Sequence, residues 1–292
     1  QLAYIGGVDR FQLEGTQYSP GRLQFEAADG FLGTAQVLNN DSRFINQSVN
    51  AVWTFTPTWK FWNSAQTSVG GTYETQKSNG YQLRARGLLP TRTVATQAGS
   101  TDFSASQSIE EFRDQSMYVN EQLILLDEKL AIAGAIRADR SSANGDREKF
   151  YSFPKFSASY RFVNPLRMLT GRIDEIKIRA AYGQSGNRPN YGYRDVTIAS
   201  GGVISGAGSL VASGTLGNPE IRPEVMNEKE YGFEGSAWNQ RAGFEFTRYE
   251  RTIKDLLLSF PLPNSSGLTT QRVNGGQMST KGFEASITGR PA

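Results

Sequence analysis

The chain has 292 residues, 38% hydrophobic and 20% charged, so it is long enough for one large unit or two ordinary domains and too apolar for disorder. With 31 Lys plus Arg against 28 Asp plus Glu the net charge is only +3, and no stripe of one sign runs through the chain, which argues against nucleic acid as a partner. Cysteine and histidine are both absent, which excludes disulfides, thiolate and imidazole metal sites, and histidine-based catalytic triads.

No run approaches the eighteen or so apolar residues of a membrane helix. A β-barrel, however, crosses with strands of roughly 10 residues in which only alternate side chains are apolar, so a mean hydropathy of -0.46 is compatible with a membrane protein or a soluble one. The chain opens on Gln1-Leu2-Ala3-Tyr4, with neither an initiator Met nor a signal peptide.

Residues 10 to 44 carry short apolar pieces around Leu23, Phe25, Phe31 and Leu32, broken by glycines and Pro20, and are expected in a loop with a small hairpin. Period-two alternation then predicts a series of strands. The apolar sets are Val49, Ala51, Trp53 and Phe55, then Val69, Gly71 and Tyr73, then Leu130, Ile132, Gly134 and Ile136. Phe156, Ala158, Tyr160 and Phe162 continue it, followed by Ile176, Ile178, Ala180 and Tyr182. Tyr231, Phe233, Gly235 and Ala237, then Phe244 and Phe246, then Phe283, Ala285 and Ile287 complete it. Between 99 and 112, Ser108 followed three residues later by Glu111 suggests a capped helical turn.

Two faces result, one aliphatic and aromatic, the other rich in Glu, Arg, Lys, Ser and Thr. A sandwich with one wet face satisfies that pattern. The connections discriminate. Links at 56–60, 126–129 and 238–241 are tight, whereas those at 77–111, 139–149, 184–227 and 259–275 are long and rich in Gly, Ser, Thr and Asn. Short turns at one end and long loops at the other are expected of an outer-membrane barrel. Trp53, Trp59, Phe61, Trp62 and Trp238 gather near the tight turns, where an interfacial girdle would put them, although caps on a soluble core would also account for them.

The segment Asn218-Pro219-Glu220-Ile221-Arg222-Pro223-Glu224 cannot be helix or central strand, because two prolines fix φ and remove donors. Followed by Glu230-Tyr231-Gly232-Phe233-Glu234, it resembles the motif that leads into a late barrel strand of TonB-dependent outer-membrane receptors. Ala181 to Pro189, Lys254-Asp255-Leu256-Leu257-Leu258, and Val273 to Met278 leading into Lys281-Gly282-Phe283-Glu284 are similar to the SusC and RagA subfamily. The resemblance is specific over about 174–288 and extends as strand rhythm over 45–162. It makes Asn218, Pro219, Pro223, Glu224, Tyr231, Gly232, Gly282, Phe283 and Glu284 structural motif positions.

The resemblance implies an all-β, antiparallel transmembrane barrel, with residues 1–292 as part of one barrel domain. About a dozen strands fit, against about 22 in plugged transporters. The family's plug and TonB-binding box have no counterpart here, and Gly289-Arg290-Pro291-Ala292 lacks a terminal aromatic, so the chain reads as an internal piece with the plug and the carboxy-terminal strands outside it. The implied activity is active uptake of an oligosaccharide, peptide or siderophore-like solute. The implied partners are outer-membrane lipid, a TonB-type energy-coupling protein acting through the missing amino-terminal part, and a SusD-like surface lipoprotein. A passive porin or structural barrel, and a soluble secreted carbohydrate-binding or adhesion module, stay open.

Arg188, Tyr191, Tyr193 and Arg194 begin the longest loop and combine aromatic faces with donors, which makes them the expected ligand contacts. Catalysis is not expected: Glu228, Glu230 and Glu234 share the polar face of one strand and suit a hydrated wall better than a glycosidase pair. Asp139, Asn144 and Asp146 do not have the spacing of a calcium loop, the glycines at 201–208 complete no dinucleotide fingerprint, and no cofactor or metal is expected.

Overall fold

The computed structural model describes residues 1–20, 33–88, 102–163, 172–196, 198–212 and 214–290. Ten long strands form one sheet: β1 (Leu2–Pro20), β2 (Gly33–Phe55), β3 (Trp62–Arg86), β4 (Asp102–Leu125), β5 (Leu130–Ser141), β6 (Tyr151–Val163), β7 (Ile173–Asn187), β11 (Glu224–Ala237), β12 (Ala242–Lys254) and β15 (Gln277–Gly289), hydrogen-bonded in that order. The sheet is open, with β1 and β15 at its edges. Five short strands make two small sheets: β8 (Ile198–Ile204) with β9 (Ala207–Ala212), and β10 (Thr215–Leu216), β14 (Thr270–Asn274) and β13 (Leu257–Pro261) in that order. Among the described residues no helix is long and apolar enough to cross a membrane.

The chain divides into two compact units, one of Gln1–Tyr4, Ser48–Thr72 and Asp114–Ala292, the other of Ile5–Gln47 and Tyr73–Arg113. The second unit corrects three expectations. Residues 10–20 and 33–44 lie in β1 and β2 rather than a loop, while Leu23, Phe25, Phe31 and Leu32 fall outside the described residues. The 77–111 link is strand up to Arg86 and again from Asp102. Ser108 and Glu111 belong to β4, not to a helical turn. The alternation is present there but short: Phe11 and Leu13 alternate with Arg10, Gln12 and Glu14, Tyr81, Leu83 and Ala85 with Gln82, Arg84 and Arg86, and Phe103, Ala105 and Ile109 with Ser104, Ser106 and Ser108, each run set beside glycines and polar residues that suggest a loop. Polar cross-strand contacts also hold these strands. Ser78 Oγ lies 3.0 Å from Ser42 Oγ and donates to Asn40 Oδ1 at 2.9 Å, Gln107 donates to Asn79 at 3.0 Å, and Arg10 reaches Asp41 through two 2.8 Å bonds.

In the first unit the alternation is obeyed. Directly paired residues share a face, and Leu130, Tyr160, Ile178, Phe233, Phe246 and Ala285 form one continuous row. Phe246 stacks between Phe233 and Phe283, with centroids 5.4 and 6.2 Å away. Among the described residues nothing covers this face: Trp53 is 80% exposed, Phe283 73% and Ile287 88%. Among the described residues, prolines aside, only eight apolar side chains are buried: five alanines, Leu88, Phe153 and Ile221. A sandwich would bury such a face against a second sheet. This chain leaves it outward.

Two of the tight turns repeat one design. Leu126, Asp127 and Glu128, and likewise Trp238, Asn239 and Gln240, are all in the left-handed region, with φ between 55° and 63°. Each triplet is held by the strand beside it: Glu128 N donates to Asn63 Oδ1 at 3.2 Å and Gln240 N to Asp174 Oδ2 at 2.8 Å. At the third turn Trp59 and Trp62 meet edge-on, with centroids 5.6 Å apart.

The links at 184–227 and 259–275 are not structureless. They contain β8 to β10 and β13 to β14, because main-chain pairing between two segments distant in sequence, such as Thr215 with Thr270, leaves no local trace.

Candidate functional site

The face opposite the aromatic row is a charged wall. Register brings Arg161, Lys177, Glu234, Glu245 and Ser286 into one row, Ser159, Arg179, Gly232, Thr247 and Glu284 into the next, and Lys155, Gly183, Glu228, Arg251 and Thr280 into a third. The carboxylates are matched across strands: Lys177 Nζ to Glu234 at 2.6 Å, Arg179 Nη2 to Glu245 at 2.6 Å, and Arg251 Nη2 to Glu228 at 3.0 Å. Half-exposed pairs of this kind contribute little stability in water, so the pattern sets the chemistry of the wall more than its strength.

Two motif glycines make that chemistry possible. A Cβ on Gly232 would meet Arg179 Nε at 2.7 Å, so only glycine lets the guanidinium cross β11 to Glu245 and to Thr247 Oγ1, 2.6 Å away. A Cβ on Gly282 would meet the Tyr249 ring at 2.6 Å, so the phenol lies flat over β15. Tyr231 and Phe283, by contrast, belong to the exposed apolar face, and Glu284 to the charged one.

Between these rows small residues leave a hollow of about 320 Å³ lined by Asn120, Ala133, Lys155, Ala181, Gly183, Glu228 and Glu230. Its polar inventory is one cation, two carboxylates, an amide and the hydroxyls of Ser157 and Tyr182, suited to polar contact with a solute. Glu228 and Glu234 are each engaged by a cation, Arg251 and Lys177 respectively.

At the loop end, Asn218 and Pro219 open a turn closed by Ile221 N donating to Asn218 O at 3.1 Å, and Asn218 Oδ1 accepts from Glu220 N at 2.9 Å. Proline at the second position of such a turn has its φ already set. Ile221 is fully buried, Pro223 is buried, and Ile221 O accepts from Gly145 N at 2.7 Å in the β5–β6 link. Glu224 accepts Asn187 Nδ2 at 3.0 Å and Leu257 N at 2.8 Å. Asn274 donates to Arg222 O and Asp255 O, and Arg222 pairs with Asp255 at 3.0 Å. The motif therefore ties both long loops to the strand ends.

The four expected ligand contacts do not form one cluster of open side chains. Arg188 pairs with Asp114 of β4 at 3.3 Å. Tyr193 lies under the Arg272 guanidinium, 4.3 Å from its ring centroid, and its hydroxyl accepts from Asn190 at 3.2 Å. Arg194 is half-buried, its carbonyl close against Gly217, while Tyr191 is half-exposed. Arg272 and Lys155 escaped sequence reasoning, and Asp255 stood in a quoted motif without its contact to Arg222, because each gains its meaning from a segment far away in the chain.

An open antiparallel sheet with an uncovered aromatic face, a charged opposite face, tight turns at one end and elaborated loops at the other is the wall of a transmembrane β-barrel. Residues 2–290 match the family described as TonB dependent receptor-like, beta-barrel, and the chain belongs to that family. It is accordingly a protein of the bacterial outer membrane. It is 29% identical over 202 residues to TonB-dependent receptor P26 of Formosa agariphila, covering 68% of this chain and 19% of that protein. It is 28% identical over 164 residues to TonB-dependent receptor P39 of the same organism, covering 56% and 16%. Its fold is that of the RagAB peptide transporter, with a TM-score of 0.85 at 20% identity over 99% of this chain and 32% of that one. The chain thus spans about a fifth or less of the curated relatives and a third of the solved structure.

Proposed function

We propose that this chain supplies part of the barrel wall of a TonB-dependent importer that carries a large solute, an oligosaccharide, peptide or siderophore-like compound, across the outer membrane. The observation that carries the reading is the ion-paired wall of β6, β7, β11, β12 and β15 behind a lipid-facing row, in a chain matching the receptor barrel family over residues 2–290. Residues 1–292 belong to one barrel domain. The lumen wall and the half-exposed Tyr191, with Arg188, Tyr193 and Arg194 around it, offer aromatic faces and fixed donors to a polar solute. Energy enters through a TonB-type protein acting on a plug that the barrel encloses, and a surface lipoprotein of the SusD type closes the loop end. The barrel binds and conducts; it does not transform its cargo.

Uptake of labelled oligosaccharides and peptides by cells producing the full-length protein tests this. Accumulation that stops when the energy-coupling protein is deleted is expected. Uptake that continues at an equal rate without it would make the barrel a passive pore.

A further inference from the structure

The outward face of β11, β12 and β15 changes character at one level. Above the Trp238 turn it is apolar through the paired positions Gly235, Phe244 and Ile287, then Phe233, Phe246 and Ala285. The next level holds Tyr231, Arg248 and Phe283, the one after it Lys229, Glu250 and Lys281, and above these stand Asn227, Thr252 and Ser279. Three cations therefore converge on one carboxylate. Lys281 Nζ takes Glu250 at 2.9 Å. Lys229 and Arg248 have no ion pair or side-chain hydrogen bond to any described residue, and the charges of the opposite wall point the other way.

The height of this cluster follows from strand geometry. Lys229 stands eight residues before Ala237, about 27 Å along a strand rising about 3.4 Å per residue. At a tilt of about 40° that is about 21 Å along the membrane normal, near the top of an apolar band about 25 Å tall. The cations lie where the headgroups of the loop-side leaflet begin. Tyr231, 58% exposed, lies beside Arg248 and one level below Lys229 and Lys281, as an interfacial aromatic does.

We propose that Lys229, Arg248 and Lys281 form a docking site for the phosphate of a lipid in the loop-side leaflet, with the acyl chains lying along Tyr231, Phe283 and Phe246. A phosphate supplies the negative charge that a single carboxylate leaves unmatched, and Arg248 offers the forked donor geometry that phosphate accepts in two places. The inference rests on the outward orientation of this face and not on the identity of the cargo.

The test uses full-length protein in detergent, mixed with a lipid bearing a phosphorylated disaccharide headgroup or with its dephosphorylated counterpart, and counts retained lipids by native mass spectrometry. Wild type is expected to retain the phosphorylated lipid preferentially and to lose it as ionic strength rises. The variant K229Q/R248Q/K281Q is expected to retain it about tenfold or more weakly, with the dephosphorylated lipid unchanged. Glu250→Gln, which removes the cluster's own anion, is expected to retain more. Equal retention of the two lipids by wild type, or undiminished retention by the triple variant, overturns the proposal. Should the triple variant fail to assemble, wild-type discrimination and the direction of the Glu250→Gln effect decide it. Energy-coupled uptake in Glu250→Gln cells is read separately, so a failed lipid site does not touch the import reading.

Discussion

Glu224 Oε1 accepts the backbone N–H of Leu257 at 2.8 Å, joining the first residue of β11 to the first residue of β13. Its other oxygen holds Asn187 at the end of β7. One carboxylate thus fastens a loop sheet to two barrel strands. Removing it leaves a part-buried N–H without its acceptor, a cost of about 1 to 3 kcal/mol. Glu224→Ala is expected to accelerate amide exchange over residues 257–274 without altering exchange in β11 and β12, and Glu224→Gln, which keeps one acceptor oxygen, to do less. Hydrogen exchange with mass-spectrometric readout measures both.

Gly145 and Gly134 make a matched pair. A Cβ on Gly145 would run into the Pro219 carbonyl and sit 2.7 Å from Ile221 N, whereas one on Gly134 meets nothing within 4 Å. Gly145→Ala is expected to displace the Asn218 turn and expose Ile221, making the loops at 184–227 sensitive to protease. Gly134→Ala is expected to behave as wild type. Equal protease patterns in the two variants would contradict the close packing described.

The left-handed turn at Trp238, Asn239 and Gln240 depends on Asp174 Oδ2 receiving the Gln240 N–H at 2.8 Å. Asp174→Ala removes a charge-assisted bond worth about 1.5 to 3 kcal/mol. A lower temperature for the loss of heat-modifiable gel mobility is the expected outcome. Asn63→Ala, which removes a neutral acceptor 3.2 Å from Glu128 N, is expected to lower it less.

Phe233 and Glu234 are neighbours in β11 that face lipid and lumen respectively. Phe233→Arg puts a cation into the apolar band at a cost of about 2 to 4 kcal/mol near the midplane. Glu234→Arg breaks the bond to Lys177 but leaves the new charge in a hydrated lumen. Assembled protein in the outer-membrane fraction is expected to fall sharply for the first and little for the second.

The legibility of the chain depended on whether one face of a strand was apolar. From Leu130 to Ile287 it was, and the alternation located β5, β6, β7, β11, β12 and β15 with the tight turns between them. From Lys77 to Arg86 and from Asp102 to Glu111 the alternating apolar residues are few, Tyr81, Leu83 and Ala85, then Phe103, Ala105 and Ile109, set among Ser, Asn, Gln and Gly, and the strands continued unseen. The motif around Pro219 and Pro223 was visible because proline restricts its own backbone. What it fastens was not, since Gly145, Leu257 and Asn274 reach it only through the fold. The same holds for Tyr193 and Arg272, a contact for which neither residue carries a local signal.

The central claim is that one face of this sheet meets lipid and the other meets water. Spin labels placed singly at Tyr231 through Ser236 in the full-length protein, reconstituted in bilayers, test it directly by comparing accessibility to oxygen with accessibility to a water-soluble nickel chelate. A period of two is expected, with 231, 233 and 235 in lipid and 232, 234 and 236 in water. Six positions with the same accessibility, or the opposite phase, would contradict it.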